Sequence, residues 1–387
     1  MFSERIDRLS GSLIREILAL TQRPGVISFA GGLPASHIMP PFDFAGLPPE
    51  LRQYGASEGE MALREKVSAH VRELGIDAGP DQVLILSGSQ QGLDLASKLF
   101  IDVGTRVMVE APTYLAALQN FKLFGATFDE LTLNPHGIDA DELAAKARQH
   151  KPACCYLIPT FQNPSGYCYS AETRMAVAET LDELDIPLIE DEPYRELMYD
   201  EVDRTPLCAR LTRAPWIYLG SFSKTMMPGL RVGFLVASKS LMPYLTRLKQ
   251  AVDLHTNRVG QWYLAEHFET PAYHAHIREA RSYYRQQRDY MADALARHLG
   301  EVASWQVPPG GLFLWLKLRD KLNTRALLEA ALKRDVAFMP GEPFFATPME
   351  ASGALRLNFS LATPAQIDEG IPLLREVVED ALVNRKS

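Results

Sequence analysis

The middle of the chain repeats one pattern, in which a short apolar run leads into a polar or glycine-containing loop and then into a helical segment. The runs with their loops read QVLILSGS, RVMVEAPTY, ACCYLIPTFQNPSG, IPLIEDEPY and WIYLGSFSK. Runs that are short and apolar throughout are typical of strands covered on both faces, as in parallel sheets with helices on either side. The pattern therefore predicts an α/β fold with a largely parallel sheet.

One strand is expected to break this arrangement. The run RVGFLVAS begins only a few residues after IYLGSFSK ends, whereas a parallel crossover needs a dozen or more residues. We therefore predict that this strand runs antiparallel to its neighbours.

The pattern changes from about residue 290. The segment GGLFLWLKL alternates after a Gly-Gly turn, TRALLEAALKRD is helical, ALRLNFSLA is strand-like and IDEGIPLLREVVEDAL is amphipathic. This texture predicts a smaller α+β domain. We expect an N-terminal segment over residues 1–45 that packs with the small domain and the functional site, a large α/β domain over 46–289, and a small C-terminal domain over 290–387.

Composition narrows the class of protein. The net charge of −8 and the isoelectric point near 5.7 argue against a dominant nucleic-acid surface. No apolar run approaches the length that spans a bilayer, and MFSERIDRLSGSLIREIL lacks the apolar core of a signal peptide. The four cysteines form no C-x-x-C pair, and the spacing of His267, His274 and His276 matches no zinc signature. We expect a cytoplasmic protein with no metal, no nucleic-acid partner and no membrane contact.

In α/β sheets, ligands bind beyond the carboxyl ends of the strands. The polar side chains that directly follow the predicted strands are Ser87 to Gln90, Tyr114, Asn163, Asp191, Tyr194 and Ser221 to Lys224. These side chains form the candidate site.

Two of the loops suit an anion. The loop SGSQQGL would place backbone N–H groups at a helix N-terminus, although it also suits an ordinary turn with Ser89 as N-cap. Ser221, Ser223 and Arg231 surround Lys224 with hydroxyl donors and a fixed positive charge that suits phosphate oxygens. The alternative is a structural ion pair for Arg231 and a solvent-reaching Lys224.

The remaining candidates suit a heterocyclic cofactor. Cationic or desolvating neighbours pull the pKa of a lysine such as Lys224 below its usual value of about 10.4, which leaves a nucleophilic amine. Asp191 could bind a metal, cap a helix, or hold the protonated ring nitrogen of pyridoxal 5′-phosphate, which makes the ring an electron acceptor. Asn163 and Tyr194 could donate to the ring oxygen and Tyr114 could stack on the ring. Each also suits turn or core chemistry.

In wording and order, these motifs make the chain similar to the fold-type I, pyridoxal-phosphate-dependent aminotransferases of class I/II. The motif SFSKTMMPGLRVGF carries the resemblance, PTFQNPSG and EDEPY support it at matching intervals, and it extends from SLIREIL to the last helix. The resemblance implies the type I pyridoxal-phosphate-dependent transferase fold, with a mostly parallel seven-stranded sheet, one antiparallel strand and a smaller α+β domain. It also implies that Lys224 is the catalytic lysine, which forms a Schiff base with the cofactor.

The same resemblance implies a role for each candidate. Asp191 would hold the pyridinium nitrogen, Asn163 and Tyr194 the ring oxygen, and Tyr114 would stack on the ring. The residues implied for the phosphate are Ser89, Gln90, Ser221, Ser223 and Arg231. Tyr54, in YGASEGEMALR, matches a tyrosine that reaches the phosphate from the neighbouring subunit. The resemblance thus implies a homodimer with shared active sites.

Substrate residues are implied as well. Arg356, in ALRLNFS, matches the arginine that binds the substrate α-carboxylate together with Asn163. From the residues alone, its buried anionic partner could also be a protein acid. The stretch SLIREILALTQRPGVISFAGGLP resembles the kynurenine/2-aminoadipate aminotransferase branch, which includes bacterial lysine-biosynthesis enzymes. In that branch the residue matching Gly32 lets the substrate approach the backbone, and the one matching Arg15 pairs with an acidic side chain. An exposed helix arginine is the alternative for Arg15.

The resemblance predicts an aminotransferase that moves the amino group of an L-amino acid to a 2-oxo acid such as 2-oxoglutarate. The expected donors are 2-aminoadipate, glutamate or a broad aromatic and aliphatic range. A β-eliminating C–S lyase of the same fold would use the same residues and stays open. A third alternative is the ligand-sensing domain of a transcription regulator. Because only a few residues precede SLIREIL, we expect no DNA-binding domain there.

Overall fold

The computed structural model describes residues 2–9, 17, 25–41, 43 and 45–386. Its α-helices are α1 (Met61–Glu73), α2 (Ser89–Phe100), α3 (Leu115–Phe124), α4 (Ala140–His150), α5 (Ala171–Glu183), α6 (Met242–Asp253), α7 (Arg258–His267), α8 (Pro271–Leu299), α9 (Thr324–Leu332) and α10 (Pro364–Lys386). Polar side chains cap the N-termini of several helices and satisfy backbone N–H groups there; they are Asp139, Ser170, Asn257, Thr270 and Asn323.

The strands form a large sheet and two smaller ones. They are β1 (Ile27–Ser28), β2 (Val83–Leu86), β3 (Arg106–Ala111), β4 (Thr127–Asn134), β5 (Gly137–Ile138), β6 (Cys154–Leu157), β7 (Leu188–Asp191), β8 (Trp216–Ser221), β9 (Gly233–Ala237), β10 (Ala303–Ser304), β11 (Phe313–Leu318), β12 (Val336–Ala337), β13 (Met339–Pro340) and β14 (Ala354–Asn358). The large sheet has the order β2-β9-β8-β7-β6-β3-β4-β5.

The large sheet confirms the predicted α/β fold. Strands β4, β3, β6, β7 and β8 pair in parallel, while β9 is antiparallel to both β2 and β8. The antiparallel strand is the RVGFLVAS run, as expected. Beyond the seven longer strands, the two-residue β5 folds back antiparallel on β4, after a turn that ends at Gly137 with a φ of 116°. This short edge strand was not predicted.

Helices cover both faces of this sheet, which explains why its strands are apolar throughout. Every residue of β2, β6, β7 and β9 is buried. In β2, Leu84 belongs to the same apolar cluster as Leu93 of α2, and Ile85 belongs to a second cluster with Val67 of α1. The two faces form separate apolar cores, and the polar site lies beyond the strand ends.

The C-terminal part has its own antiparallel sheet, in the order β10-β11-β14-β13, with α8 packed against α10 beside it. Strand β1 of the N-terminal segment pairs in parallel with β12, so that Ile27 lies opposite Val336. The division into 1–45, 46–289 and 290–387 stays a prediction; its second boundary falls inside α8. Over the described residues, no helix has both the length and the apolar character needed to cross a membrane.

Candidate active site

A cavity of about 240 Å³ lies at the carboxyl ends of β7 and β8, beside the N-terminus of α2. Most of the candidate side chains line it; they are Ser89, Gln90, Tyr114, Asn163, Asp191, Tyr194, Ser221, Ser223, Lys224 and Arg231. The side chains come from separate loops, and the parallel sheet brings these loops to one edge. The apolar or cyclic side chains of Leu33, Leu93, Ile158, Pro193 and Pro228 complete the lining.

The amine of Lys224 lies inside this cavity. Its Nζ donates to the carbonyl oxygen of Gly32 at 2.8 Å and lies 5.8 Å from the centre of the Tyr194 ring. Burial, followed by the positive charges of Arg356 and Arg231, lowers the pKa of Lys224 from 10.5 to about 8. A substantial fraction of this amine is therefore neutral near physiological pH.

Asp191 presents one free carboxylate oxygen to the cavity. Its Oδ2 accepts a hydrogen bond from the Tyr156 hydroxyl at 2.8 Å, whereas its buried Oδ1 has no hydrogen-bond partner among the described residues. Burial raises the pKa of Asp191 to about 7, against the opposing effect of the Tyr156 hydrogen bond. An unpartnered buried carboxylate oxygen is costly, so this atom suits a cationic N–H donor on a ligand.

The turn between β2 and α2 lies against the guanidinium of Arg231. Gly88 has a φ of 85°, and a Cβ there would lie 2.4 Å from Arg231 Nη2, so glycine permits both the backbone conformation and the approach. The hydrogen bonds of the guanidinium are long, with Ser223 Oγ at 3.5 Å and the carbonyl oxygens of Ser87 and Pro228 at 3.4 Å each. Helix N-terminus, hydroxyls and arginine together suit a phosphate.

Arg356 in β14 is buried without an acidic partner among the described residues. Its Nη1 donates to Asn163 Oδ1 at 2.7 Å, and its Nη2 donates to the carbonyl oxygens of Ala30 at 3.0 Å and Gly31 at 3.2 Å. The guanidinium carbon lies 4.0 Å from the centre of the Phe313 ring. Burial lowers the pKa of Arg356 to about 10. Neutral acceptors and an aromatic face leave the charge uncompensated, which favours an anionic ligand over the alternative of a protein salt bridge.

Among the described residues, Tyr54 stands apart from the cavity wall. Tyr54 is 75% exposed, and its ring contacts His255 edge to face. Arg258 contacts the segment that precedes Tyr54, donating to the carbonyl oxygens of Glu50 at 2.7 Å and Gln53 at 3.1 Å. Arg15 lies outside the described residues.

Gly32 approaches the cavity through its backbone, whose carbonyl oxygen accepts from Lys224. A Cβ at Gly32 would lie 3.3 Å from the Phe313 ring. The absence of a side chain therefore leaves room between this backbone and the ring.

Sequence reasoning missed Tyr156, which supports Asp191. In the ACCYLI run it was indistinguishable from a core residue, and it is fully buried. The signal lies in the register of the sheet: Tyr156 pairs with Ile189, two residues before Asp191 and thus on the same face of β7.

The polar groups in this cavity fit pyridoxal phosphate. Asp191 Oδ1 suits a protonated ring nitrogen, the Gly88 turn with Arg231 suits the phosphate, and the Lys224 amine suits the carbonyl carbon. The set combines one free carboxylate, one anion cradle and one partly neutral lysine. This combination matches the chemistry predicted from the motifs.

Comparison with known proteins identifies the family of this chain. The model of the family "Aminotransferase class I and II" matches residues 32–373. The 2-aminoadipate transaminase of Thermus thermophilus is 37% identical, over 98% of this chain and 97% of that protein. The solved structure of an α-aminoadipate aminotransferase from Thermus thermophilus, complexed with N-(5′-phosphopyridoxyl)-L-leucine, is 35% identical with a TM-score of 0.90, covering 99% of this chain and 98% of that one.

A second solved structure agrees. The kynurenine aminotransferase of Pyrococcus horikoshii is 34% identical, with a TM-score of 0.93 over 99% of this chain and 98% of that one. The resemblance predicted from the motifs is confirmed. With the family match over most of its length, the chain belongs to the class I and II aminotransferases and is a pyridoxal-phosphate-dependent enzyme of that family.

Proposed function

We propose that this aminotransferase moves the amino group of an acidic L-amino acid, 2-aminoadipate or glutamate, to a 2-oxo acid such as 2-oxoglutarate. The observation that carries the amino-acid and 2-oxo-acid part of the proposal is Arg356, a buried guanidinium without an acidic partner among the described residues, beside the cavity that holds the Lys224 amine. Every amino acid has an α-carboxylate, so the choice of an acidic donor rests on the similar proteins and not on Arg356. An α-carboxylate would supply the missing charge, and the bond to Asn163 orients the fork. The names of the Thermus thermophilus relatives support 2-aminoadipate as donor.

In this proposal the chain's own residues divide the work of holding the cofactor. Asp191 holds the ring nitrogen through Oδ1, and Asn163 and Tyr194 hold the ring oxygen. Tyr114 covers one face of the ring. The residues proposed for the phosphate are Ser89, Gln90, Ser221, Ser223 and Arg231. When bound, pyridoxal phosphate supplies an electron sink for the charge that develops at the substrate Cα.

Lys224 moves the proton. With a pKa lowered to about 8, its Nζ is available as a base near neutral pH and, once protonated, as an acid. It takes the proton from the Cα of the amino acid and returns a proton in the reverse half of the reaction. Arg356 fixes the α-carboxylate, Gly32 leaves the backbone close to the substrate, and Arg15 is proposed to pair with its acidic side chain.

We also propose a homodimer with shared active sites, in which Tyr54 reaches the phosphate of the neighbouring subunit. Its 75% exposure and the hydrogen bonds from Arg258 to its loop support this role, because a large aromatic side chain is presented outward. The free thiols of the four cysteines support a reducing, cytoplasmic location.

The test begins with the absorbance spectrum of the purified protein. 2-Aminoadipate, glutamate, kynurenine and leucine are then added separately, and 2-oxoglutarate afterwards. We expect the acidic donors to convert the bound-cofactor band fastest, and 2-oxoglutarate to restore it. Lys224→Ala should abolish turnover, whereas Lys239→Ala, at an exposed position, should not.

Other outcomes would contradict this. If kynurenine or leucine is the fastest donor, the acidic-substrate proposal is wrong. If cofactor binds but no donor converts it, and pyruvate and ammonia appear from cysteine conjugates, the C–S lyase alternative is favoured. If Lys224→Ala retains turnover, the role of Lys224 is wrong.

A further inference from the structure

A lysine buried in α6 lies directly behind the turn that precedes α2. The side chain of Lys249 has no exposed surface. Its Nζ donates to both carboxylate oxygens of Asp253, at 2.7 and 2.8 Å, to Gln91 Oε1 at 2.8 Å and to Thr256 Oγ1 at 2.9 Å. We call Lys249, Asp253, Gln91 and Thr256 the Lys249 cluster.

The Lys249 cluster accepts hydrogen bonds from Ser87, the residue before Gly88. The backbone N–H of Ser87 donates to Gln91 Oε1 at 2.9 Å, and its hydroxyl donates to Asp253 Oδ2 at 3.0 Å. Gln91 Nε2 also donates to Asp253 Oδ2 at 2.8 Å. Two bonds from one cluster thus fix both the backbone and the side chain of Ser87.

The other side of the turn meets Arg231. The Ser87 carbonyl oxygen is the acceptor nearest to Arg231 Nη2, at 3.4 Å, and Gly88 leaves no room for a Cβ beside that atom. A shift of Ser87 would therefore move the backbone that borders the guanidinium. The Lys249 cluster lies on one side of the turn, and the phosphate-suited face lies on the other.

Stability alone is a weak reason for this arrangement. Burying an ammonium carries a large desolvation cost, and an apolar side chain of similar length at the same position would avoid that cost. An i, i+4 lysine–aspartate pair also forms readily on a helix surface, as between Lys98 and Asp94 of α2. What the buried lysine adds is a charge-assisted bond to Gln91, which accepts from Lys249 and from the turn through the same oxygen.

We propose that Lys249 is a positioning residue, which holds the Ser87–Gly88–Ser89 turn in the shape that receives the phosphate of the cofactor. This inference rests on the proposed phosphate role of Ser89 and Arg231. Lys249 acts through Gln91 and Ser87.

The test compares apoprotein variants by their affinity for two ligands that differ only in the phosphate. Dissociation constants for pyridoxal phosphate and for pyridoxal are measured by fluorescence titration. Lys249→Met removes the ammonium and keeps most of the volume. Gln91→Met removes the bridge and leaves the Lys249–Asp253 ion pair. Lys98→Met is the matched control, because it removes a more exposed lysine–aspartate ion pair from α2, the helix that follows the turn.

We expect Lys249→Met and Gln91→Met to bind pyridoxal phosphate about tenfold more weakly or worse, since each loses a charge-assisted bond that holds the turn. Pyridoxal affinity should change less than about twofold, and Lys98→Met should match the wild type for both ligands. Equal weakening for both ligands, or none, would overturn the role of Lys249.

The two proposals fail differently. If the wild type binds pyridoxal phosphate no better than pyridoxal, the proposed phosphate site itself is wrong. If the wild type discriminates and both variants discriminate equally well, only the positioning role falls. Should Lys249→Met not fold, Gln91→Met decides the question alone, since the buried ion pair is intact in that variant.

Discussion

Asp191→Asn should make the apoprotein more stable above neutral pH while it weakens cofactor binding. In the folded chain burial raises the pKa of Asp191 from 3.8 to about 7. Well below pH 3.8 the carboxyl group is protonated in both the folded and the unfolded chain, so it does not affect the free energy of unfolding. As the pH rises towards 7, the unfolded chain loses this proton first, and the folded state is progressively destabilised.

The size of this penalty follows from the shift in pKa. Each unit corresponds to about 1.4 kcal/mol, so Asp191 lowers the free energy of unfolding by about 4 kcal/mol at pH 8, of which less than half is already present at pH 5. Asparagine has the same shape and no charge to lose. The free energy of unfolding of the Asp191→Asn apoprotein should exceed that of the wild type by up to about 4 kcal/mol at pH 8, and this difference should shrink towards pH 4.

Urea unfolding of the two apoproteins, at one protein concentration and at several pH values, measures the effect. Glu110 and Glu190, whose pKa values burial also raises to about 7, titrate in the same range. They are present in both proteins, so they cancel in the difference. An Asp191→Asn apoprotein that is no more stable than the wild type at pH 8, or whose advantage does not change with pH, would refute the reasoning.

Three further predictions concern the same cavity. Gly88→Ala should weaken pyridoxal-phosphate binding about tenfold or more, because the Cβ of the new alanine displaces Arg231. Gly104→Ala is the control for backbone strain in the same titration, because Gly104 has the same φ of 85° and its Cβ would have no neighbour within 4 Å. Arg356→Lys should raise KM for the amino donor about tenfold to a hundredfold, since the forked contact with a carboxylate is lost, while the bound-cofactor spectrum is retained; an unchanged KM would contradict this. The rate at which apoprotein takes up pyridoxal phosphate should rise with pH up to about 8 and then level off, as the Lys224 amine loses its proton, and stopped-flow absorbance measures it.

The sheet could be predicted because its causes are local. Continuous apolar runs reflect burial on both faces, and the short connection before β9 rules out a parallel crossover. Strand β5 could not be predicted, because two residues carry no periodic signal. The same holds for the extent of α8, whose 29 residues continue without a break through the change in pattern near residue 290.

The site was predictable only where chemistry coincides with a strand end. Asp191 and Lys224 follow apolar runs, so the topology of the sheet alone brings them together. Neither Tyr156 nor Lys249 lies directly after an apolar run at the end of a strand. The first lies inside a strand, and the second forms an i, i+4 pair with Asp253 that, in sequence, is typical of a solvated helix face. Their roles depend on contacts between elements distant in the chain.

The charged side chains around the cavity set the pKa of Lys224, and this pKa should change when ligands bind. Three cations, Lys224, Arg231 and Arg356, face a single free carboxylate on Asp191, so mutual repulsion lowers the pKa of Lys224 below what burial alone would give. A phosphate beside Arg231 and a carboxylate beside Arg356 would each neutralise one of those charges. The pKa of Lys224 should therefore be lower in the apoprotein than with both anions bound. The lowered pKa favours the neutral, nucleophilic amine that reacts with the cofactor carbonyl, and the bound anions then favour the protonated amine that returns a proton.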